Sequence, residues 1–142
     1  MKVLEFGDLP TDDRLMLSFE GCFDPELPLE KELTPFVQAL EEQAAGWMPD
    51  VVIGKRRRKY SRESVWKSWA EARESKTASI SLDRTEWPAL SLWSRLVFSR
   101  PSELRVLLKV QPLSFFSDEE RCRKFVELVR AWATHYPVTY VS

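Results

Sequence analysis

The residue types that most often carry catalysis are scarce in this chain and poorly spaced for it. There is one histidine, His135, and there are two cysteines, Cys22 and Cys122, far apart in sequence. A zinc centre needs three or four nitrogen, sulfur or carboxylate ligands at workable spacing, and this set does not supply them. His135 as a general base has no Ser or Cys nucleophile in a recognisable frame. It reads instead as a helix-end histidine, where a cation is favourable. With 4 glycines in the whole chain and no Gly-x-Gly-x-x-Gly, a phosphate cradle of glycine backbone is hard to assemble. The expectation is a protein with no catalytic residues, no metal and no cofactor. The cysteines are expected to be reduced, largely buried thiols.

Two local patterns carry more information. Pro49-Asp50 followed by Glu74-Ser75-Lys76 resembles the Pro-Asp…(Asp/Glu)-x-Lys signature of restriction-type nucleases, in which acids hold magnesium and the lysine activates water or stabilises charge. That arrangement needs both pieces on paired strands. Here a helix with two tryptophans separates them, and Glu74-Ser75-Lys76 falls at its end. The second pattern is the run Lys55, Arg56, Arg57, Arg58, Lys59, then Arg62, with Tyr60 inside it and Trp66 and Trp69 after it. Interleaved bases and aromatics can grip phosphates and stack bases. As a strand, Arg56 and Arg58 would face one way and Arg57 and Lys59 the other. Burying either pair is costly unless the charge is partnered. The block reads first as a solvated loop or an edge strand whose charge prevents edge-to-edge association, and second as a partner-binding patch.

The charge is sorted along the chain. Residues 1–54 hold 12 acids and 3 bases, a net of −9, whereas residues 55–142 hold 10 acids and 18 bases, a net of +8. The total of −1 conceals an acidic front, including Asp12, Asp13, Asp24, Glu26 and Glu30, and a basic back. Such a molecule is suited to charged partners. The acidic front argues against coating by nucleic acid and for docking on a basic protein surface, where electrostatic complementarity speeds association. No apolar run approaches 18 residues, so no membrane-spanning helix is expected. Met1–Phe6 has no apolar core of a signal peptide, so the cytoplasm is the expected compartment.

The elements that must position these residues follow from periodicity. Val3–Phe6 is short and apolar, and Leu15–Phe19 reads as a strand ending near Gly21. Thr34 can cap a helix with Pro35 at its first position and Gly46 as its stop, or the helix can begin in Pro28–Leu33 with Pro35 as a kink. Val51–Ile53 is a short strand. Ser61 caps a helix to about Ser75 with Val65, Trp66, Trp69 and Ala72 on one face. Thr77–Leu82 alternates as a strand, and Leu90–Phe98 and Leu104–Leu113 form a hairpin about Ser99–Glu103. Ser117 and Glu120 make a capping box for a last helix with the stripe Cys122, Phe125, Val126, Val129, Trp132 and Ala133. Val138–Val141 adds a terminal strand. The 142 residues are the length of one domain. Their order predicts a single α+β domain over 1–142, a largely antiparallel sheet with about three helices on one face.

The second half resembles the immunity proteins of bacterial polymorphic-toxin and contact-delivery systems. The likeness runs through Leu107-Leu108-Lys109-Val110, Pro112-Leu113, the helix Phe125–Trp132 and Tyr136-Pro137-Val138-Thr139-Tyr140, over roughly the last 60 residues. It implies a non-enzymatic protein that neutralises a cognate toxin by tight binding in the cytoplasm. The candidate partner-binding residues are Asp12, Asp13, Asp24, Glu26, Glu30, Arg56, Arg57, Arg58 and Tyr60. Two alternatives are an adaptor or chaperone for a secreted effector and a nucleic-acid-binding regulator using Lys55–Arg62.

Overall fold

A computed structural model describes residues 14–99, 102–111, 113–136 and, as backbone only, 138–141. Strict alternation of apolar and polar residues is the feature that organises it. In β4 (Thr77–Arg84), β5 (Ala89–Val97) and β6 (Glu103–Gln111), every second side chain is buried, save Arg84 at the end of β4. Such a period of two commits one face of a sheet to the core. The remaining strands are β1 (Leu15–Gly21), β2 (Val51–Ile53), β3 (Arg57–Lys59) and β7 (Val138–Val141). They complete one seven-stranded sheet in the order β3-β2-β4-β5-β6-β1-β7, with every neighbouring pair antiparallel. The fold is α+β, as expected. Val3–Phe6 lies outside the described residues.

Three helices, α1 (Leu29–Gln43), α2 (Arg62–Ala72) and α3 (Glu119–His135), cover the apolar face. Register builds that face in rows. Leu17, Leu108, Leu92, Leu82 and Val52 stand side by side, and Phe19, Val106, Ser94 and Ile80 form the next row. On top of them sits an aromatic cluster: Trp132 stacks on Phe36 at 4.9 Å and tilts against Phe19 at 5.9 Å, and Phe36 meets Trp69 at 6.2 Å. Each such ring removes roughly 150–250 Å² from water. Gly21 is required where α3 ends on β1, because a Cβ there would stand 2.9 Å from the Cβ of Tyr136.

Pro35 lies inside α1 rather than at its start, so the kinked alternative is the one adopted. Thr34 does not cap; its hydroxyl donates to the Glu30 carbonyl. A proline ring crowds the preceding turn and loosens its ladder. Here the Tyr136 hydroxyl enters the gap. It accepts the Phe36 N–H at 2.9 Å and donates to the Glu32 carbonyl at 3.1 Å, which is the pair an unbroken helix would have joined directly. The Trp132 indole N–H donates to the Phe36 carbonyl at 3.1 Å. The kink is thus held by α3. α1 also stops at Gln43, earlier than Gly46, because Ala44 and Trp47 turn inward in a short 3₁₀ turn (Ala45–Trp47) and are buried.

Two details of the other helices depart from expectation. Ser61 does cap α2, accepting the Ser64 N–H at 3.0 Å, but the helix ends at Ala72 and the chain turns through Ser75, at φ 56°, into β4. In α3 the capping residue is Asp118, which accepts the N–H groups of Glu120 and Arg121, whereas the Ser117 hydroxyl is spent on the Ser114 carbonyl. The buried stripe of α3 is also rotated. Leu128 and Trp132 are fully buried, while Val126 and Cys122 face outward. The expected burial of Cys122 is therefore corrected. Both cysteines are free thiols.

Candidate binding surface

The side chains that β1–β6 point away from the helices make a second, open face. Not one of them is fully buried. Its central row runs Ser18, Leu107, Trp93, Ser81, Ile53, Arg57, and the next runs Met16, Lys109, Ser91, Asp83, Val51, Lys59. Trp93 sits mid-sheet with 37% of its surface exposed, and Met16 is 47% exposed. A large ring left in water at the centre of a sheet is the informative exception to burial. Five bases, Arg57, Lys59, Arg95, Arg105 and Lys109, share this face with Glu20, Asp83 and Glu103. Glu20 and Glu103 both pair with Arg105, Glu20 at 3.3 Å. Among the described residues Arg57, Lys59, Arg95 and Lys109 make no ion pair, so the face is net positive.

The basic block is divided by this geometry. β3 is an edge strand, and its charges discourage pairing with another chain. Arg58 turns to the helix side, where its two terminal nitrogens meet Glu71 on α2 at 2.9 and 2.6 Å and one also reaches Ser68 at 3.1 Å. This fork supplies the partner that a half-buried guanidinium needs. The hydrogen bonds with Arg58 hold the Glu71 carboxyl below the ordinary carboxylate range. Arg56 reaches the same carboxylate from outside at 3.6 Å. Tyr60 donates to Glu41 at 3.1 Å, and Arg62 clamps that carboxylate through Nε and Nη2, the latter at 2.6 Å. Only Arg57 and Lys59 are presented on the open face.

The acidic front does not form one surface either. Asp12 and Asp13 lie outside the described residues. Asp24, Glu26 and Glu30 are exposed at the opening of α1, where the Glu26 N–H donates to Asp24 and the Asp24 N–H to Glu32. Glu30 there borders a depression with Glu63, Trp66 and Lys67 on α2. These acids belong to the helix layer, on the opposite side of the sheet from Trp93. Glu20 and Glu41 are engaged with bases of the second half. Sorting of charge along the chain therefore becomes pairing in space.

The nuclease-like pieces are separated. The Asp50 carboxylate accepts the Thr85 hydroxyl at 2.8 Å and the Thr85 N–H, which lowers its pKa, at the C-terminal end of β4. Glu74 and Lys76 precede Thr77 at the other end. Seven strand steps put them roughly 23 Å apart, too far to share a metal ion. No group of three His, Cys, Asp or Glu side chains able to hold one occurs among the described residues. No helix among them is long and apolar enough to cross a membrane.

Comparison with protein-family models, curated proteins and solved structures found no match. Trp93 was missed as a site residue because an alternating strand looks alike from either side. Its signal was its position out of phase with Leu90, Leu92 and Leu96.

Proposed function

We propose that this chain is a non-enzymatic binding protein that docks a protein partner on the open face of its sheet, with Trp93 as the anchor. Within that class we propose an immunity protein that neutralises a cognate bacterial toxin in the cytoplasm. The observation that carries docking is Trp93 itself, an indole left 37% exposed at mid-sheet between Leu107 and Ser81 of the neighbouring strands. Aromatic anchors on flat, preformed surfaces dominate binding energy at interfaces. The narrower reading rests on the resemblance of the C-terminal half. Of the residues that carry it, Leu107 and Lys109 of β6 stand on the open face, while Leu108, Val110 and the α3 segment Phe125–Trp132 belong to the helix side behind it. An adaptor for a secreted effector would use the same surface. The acids at the opening of α1 then serve as a separate electrostatic region rather than as the contact itself.

The test is co-expression with the product of the adjacent gene. Immunity requires that the wild-type chain restore growth and that Trp93→Lys, shown folded by circular dichroism, fail to. Capture of that product without rescue points to the adaptor. Neither capture nor rescue removes both readings. A second reading is supported by the unpaired Arg57, Lys59, Arg95 and Lys109 around the ring, namely single-stranded nucleic acid stacked on Trp93. Quenching of Trp93 fluorescence by a short oligonucleotide, lost on replacing Arg95 and Lys109, would select it.

A further inference from the structure

The open face carries charge that weakens the sheet rather than holding it. Arg95 on β5 stands directly opposite Arg105 on β6, and like charges facing each other across two strands are destabilising. The carboxylates beside this pair, Glu20 and Glu103, both engage Arg105. Arg95 makes no ion pair among the described residues. On the edge strand, Arg57 and Lys59 have Ile53 and Val51 beside them in register. Asp83 shares a row with Lys59 and Lys109 but stands two strands from each, about 10 Å. It already accepts the Ser81 hydroxyl at 2.7 Å.

These cations are arranged around Trp93. Arg95 lies two residues along β5, about 7 Å away. Lys109 is the diagonal neighbour on β6, on the other side of the ring along the strands. Arg57 closes the row of Trp93 three strands away, about 14 Å. Between them the face is Leu107, Ser81, Ser91 and Ile53. A ring and aliphatic side chains within a polar, charged rim have the anatomy of a protein interface.

We infer that the partner meets this face with an acidic protein surface, in which carboxylates flank a slot for the indole and pair with Arg95, Lys109 and the Arg57–Lys59 edge. This rests on docking at Trp93, and it reverses the basic partner surface expected from the acidic front. A carboxylate is the complement of an unpaired guanidinium, with which it forms two parallel hydrogen bonds. A second copy of the chain would set the same excess of bases against itself. A nucleic-acid strand calls for successive rings on which its bases stack. Trp93 is the one ring that β1–β6 present here, and Glu20, Asp83 and Glu103 on the same face oppose phosphates.

The experiment is amide-shift titration of the full chain at neutral pH and an ionic strength of about 0.1 M, where charges beyond about 10 Å are largely screened. The probes are a short polyglutamate peptide, a short polylysine peptide and a short oligothymidylate. Polyglutamate should give saturable shifts centred on Trp93, Arg95, Lys109 and Arg57, and polylysine should give none there. Arg95→Glu with Lys109→Glu should weaken polyglutamate binding about tenfold, the effect of reversing two surface charges. The same change of net charge on α3, Arg123→Glu with Arg130→Glu, should leave it within about twofold. The inference is overturned if the polyglutamate shifts centre elsewhere, if the two pairs of reversals act alike, or if oligothymidylate binds more tightly than polyglutamate, which assigns the face to nucleic acid. Docking itself fails separately, by Trp93→Lys retaining rescue of growth in the co-expression assay. Loss of rescue with no preference for polyglutamate keeps docking and removes the acidic partner.

Discussion

The two faces of the sheet are cut from the same strands and share one register, yet they are built on opposite rules. Toward the helices the rows are Leu, Val, Ile and Phe with Ser94 among them, and they are closed by a cluster of rings. Away from them the rows mix Ser, Arg and Lys around one tryptophan. Two polar groups that enter the closed side arrive with partners, Arg58 with Glu71 and the Tyr136 hydroxyl with both ends of a broken helical bond, whereas the buried Trp69 indole N–H finds none among the described residues. On the open side Lys109, Arg95, Arg57 and Lys59 stand without them. The difference separates residues that hold the fold from residues left available to something else, and it does so with adjacent positions of a single strand.

Leu92 and Trp93 make the sharpest version of that contrast. Leu92 is 0% exposed between Leu108 and Leu82, so Leu92→Ala should cost about 2–5 kcal/mol, the lost transfer energy plus a cavity. Trp93→Ala removes a larger side chain from the open face and should cost only about 1 kcal/mol. Urea unfolding of both variants measures this. If Trp93→Ala proves the more damaging, the open face is structural and the separation collapses.

A smaller effect is expected where α3 repairs α1. Tyr136→Phe keeps the ring and deletes the hydroxyl between the Phe36 N–H and the Glu32 carbonyl. Leaving those groups unpaired in the core should cost about 1–3 kcal/mol. A cost near zero would mean that α1 straightens and closes its own ladder, and that Pro35 alone does not impose the gap. Hydrogen exchange at Phe36 distinguishes the cases, because loss of protection accompanies the first and not the second. The buried hydroxyl also has its pKa raised, chiefly by desolvation.

Local pattern made the core strands and all three helices legible, because period and capping are properties of neighbours in sequence. Leu90, Leu92 and Leu96, or Ser61 before α2, needed nothing from afar. What could not be read was decided across long separations. Nothing near Pro35 announces that a tyrosine 101 positions later will complete its helix. Nothing in the stripe of α3 says that Leu128 rather than Val126 faces inward, since the aromatic cluster on α1 sets that rotation. The basic block was legible as an edge, but its division depended on Glu71.

The helix layer has its own polar junction at Glu41, and it tests whether ion pairs on the closed side contribute to the fold. The hydrogen bond from Arg62 lowers the Glu41 pKa from 4.5, against desolvation that raises it, with Tyr60 adding to the lowering. A carboxyl whose pKa is depressed by folding stabilises the native state above its unfolded value, and that contribution disappears as pH falls through the folded value. Glu41→Gln should therefore lower the urea midpoint at pH 7, and the gap from wild type should shrink steadily below about pH 4.5. Tyr60 carries the opposite sign. Desolvation, and then the charge of Glu41, raise its pKa, so its contribution is complete below pH about 10 and is lost as pH rises beyond that. Removing the Glu41 charge should let Tyr60 ionise at lower pH in a spectroscopic titration. If the midpoint gap is the same at pH 3 and pH 7, the Glu41 charge contributes nothing to stability. An unmoved Tyr60 titration would then leave desolvation as the sole cause of its shift.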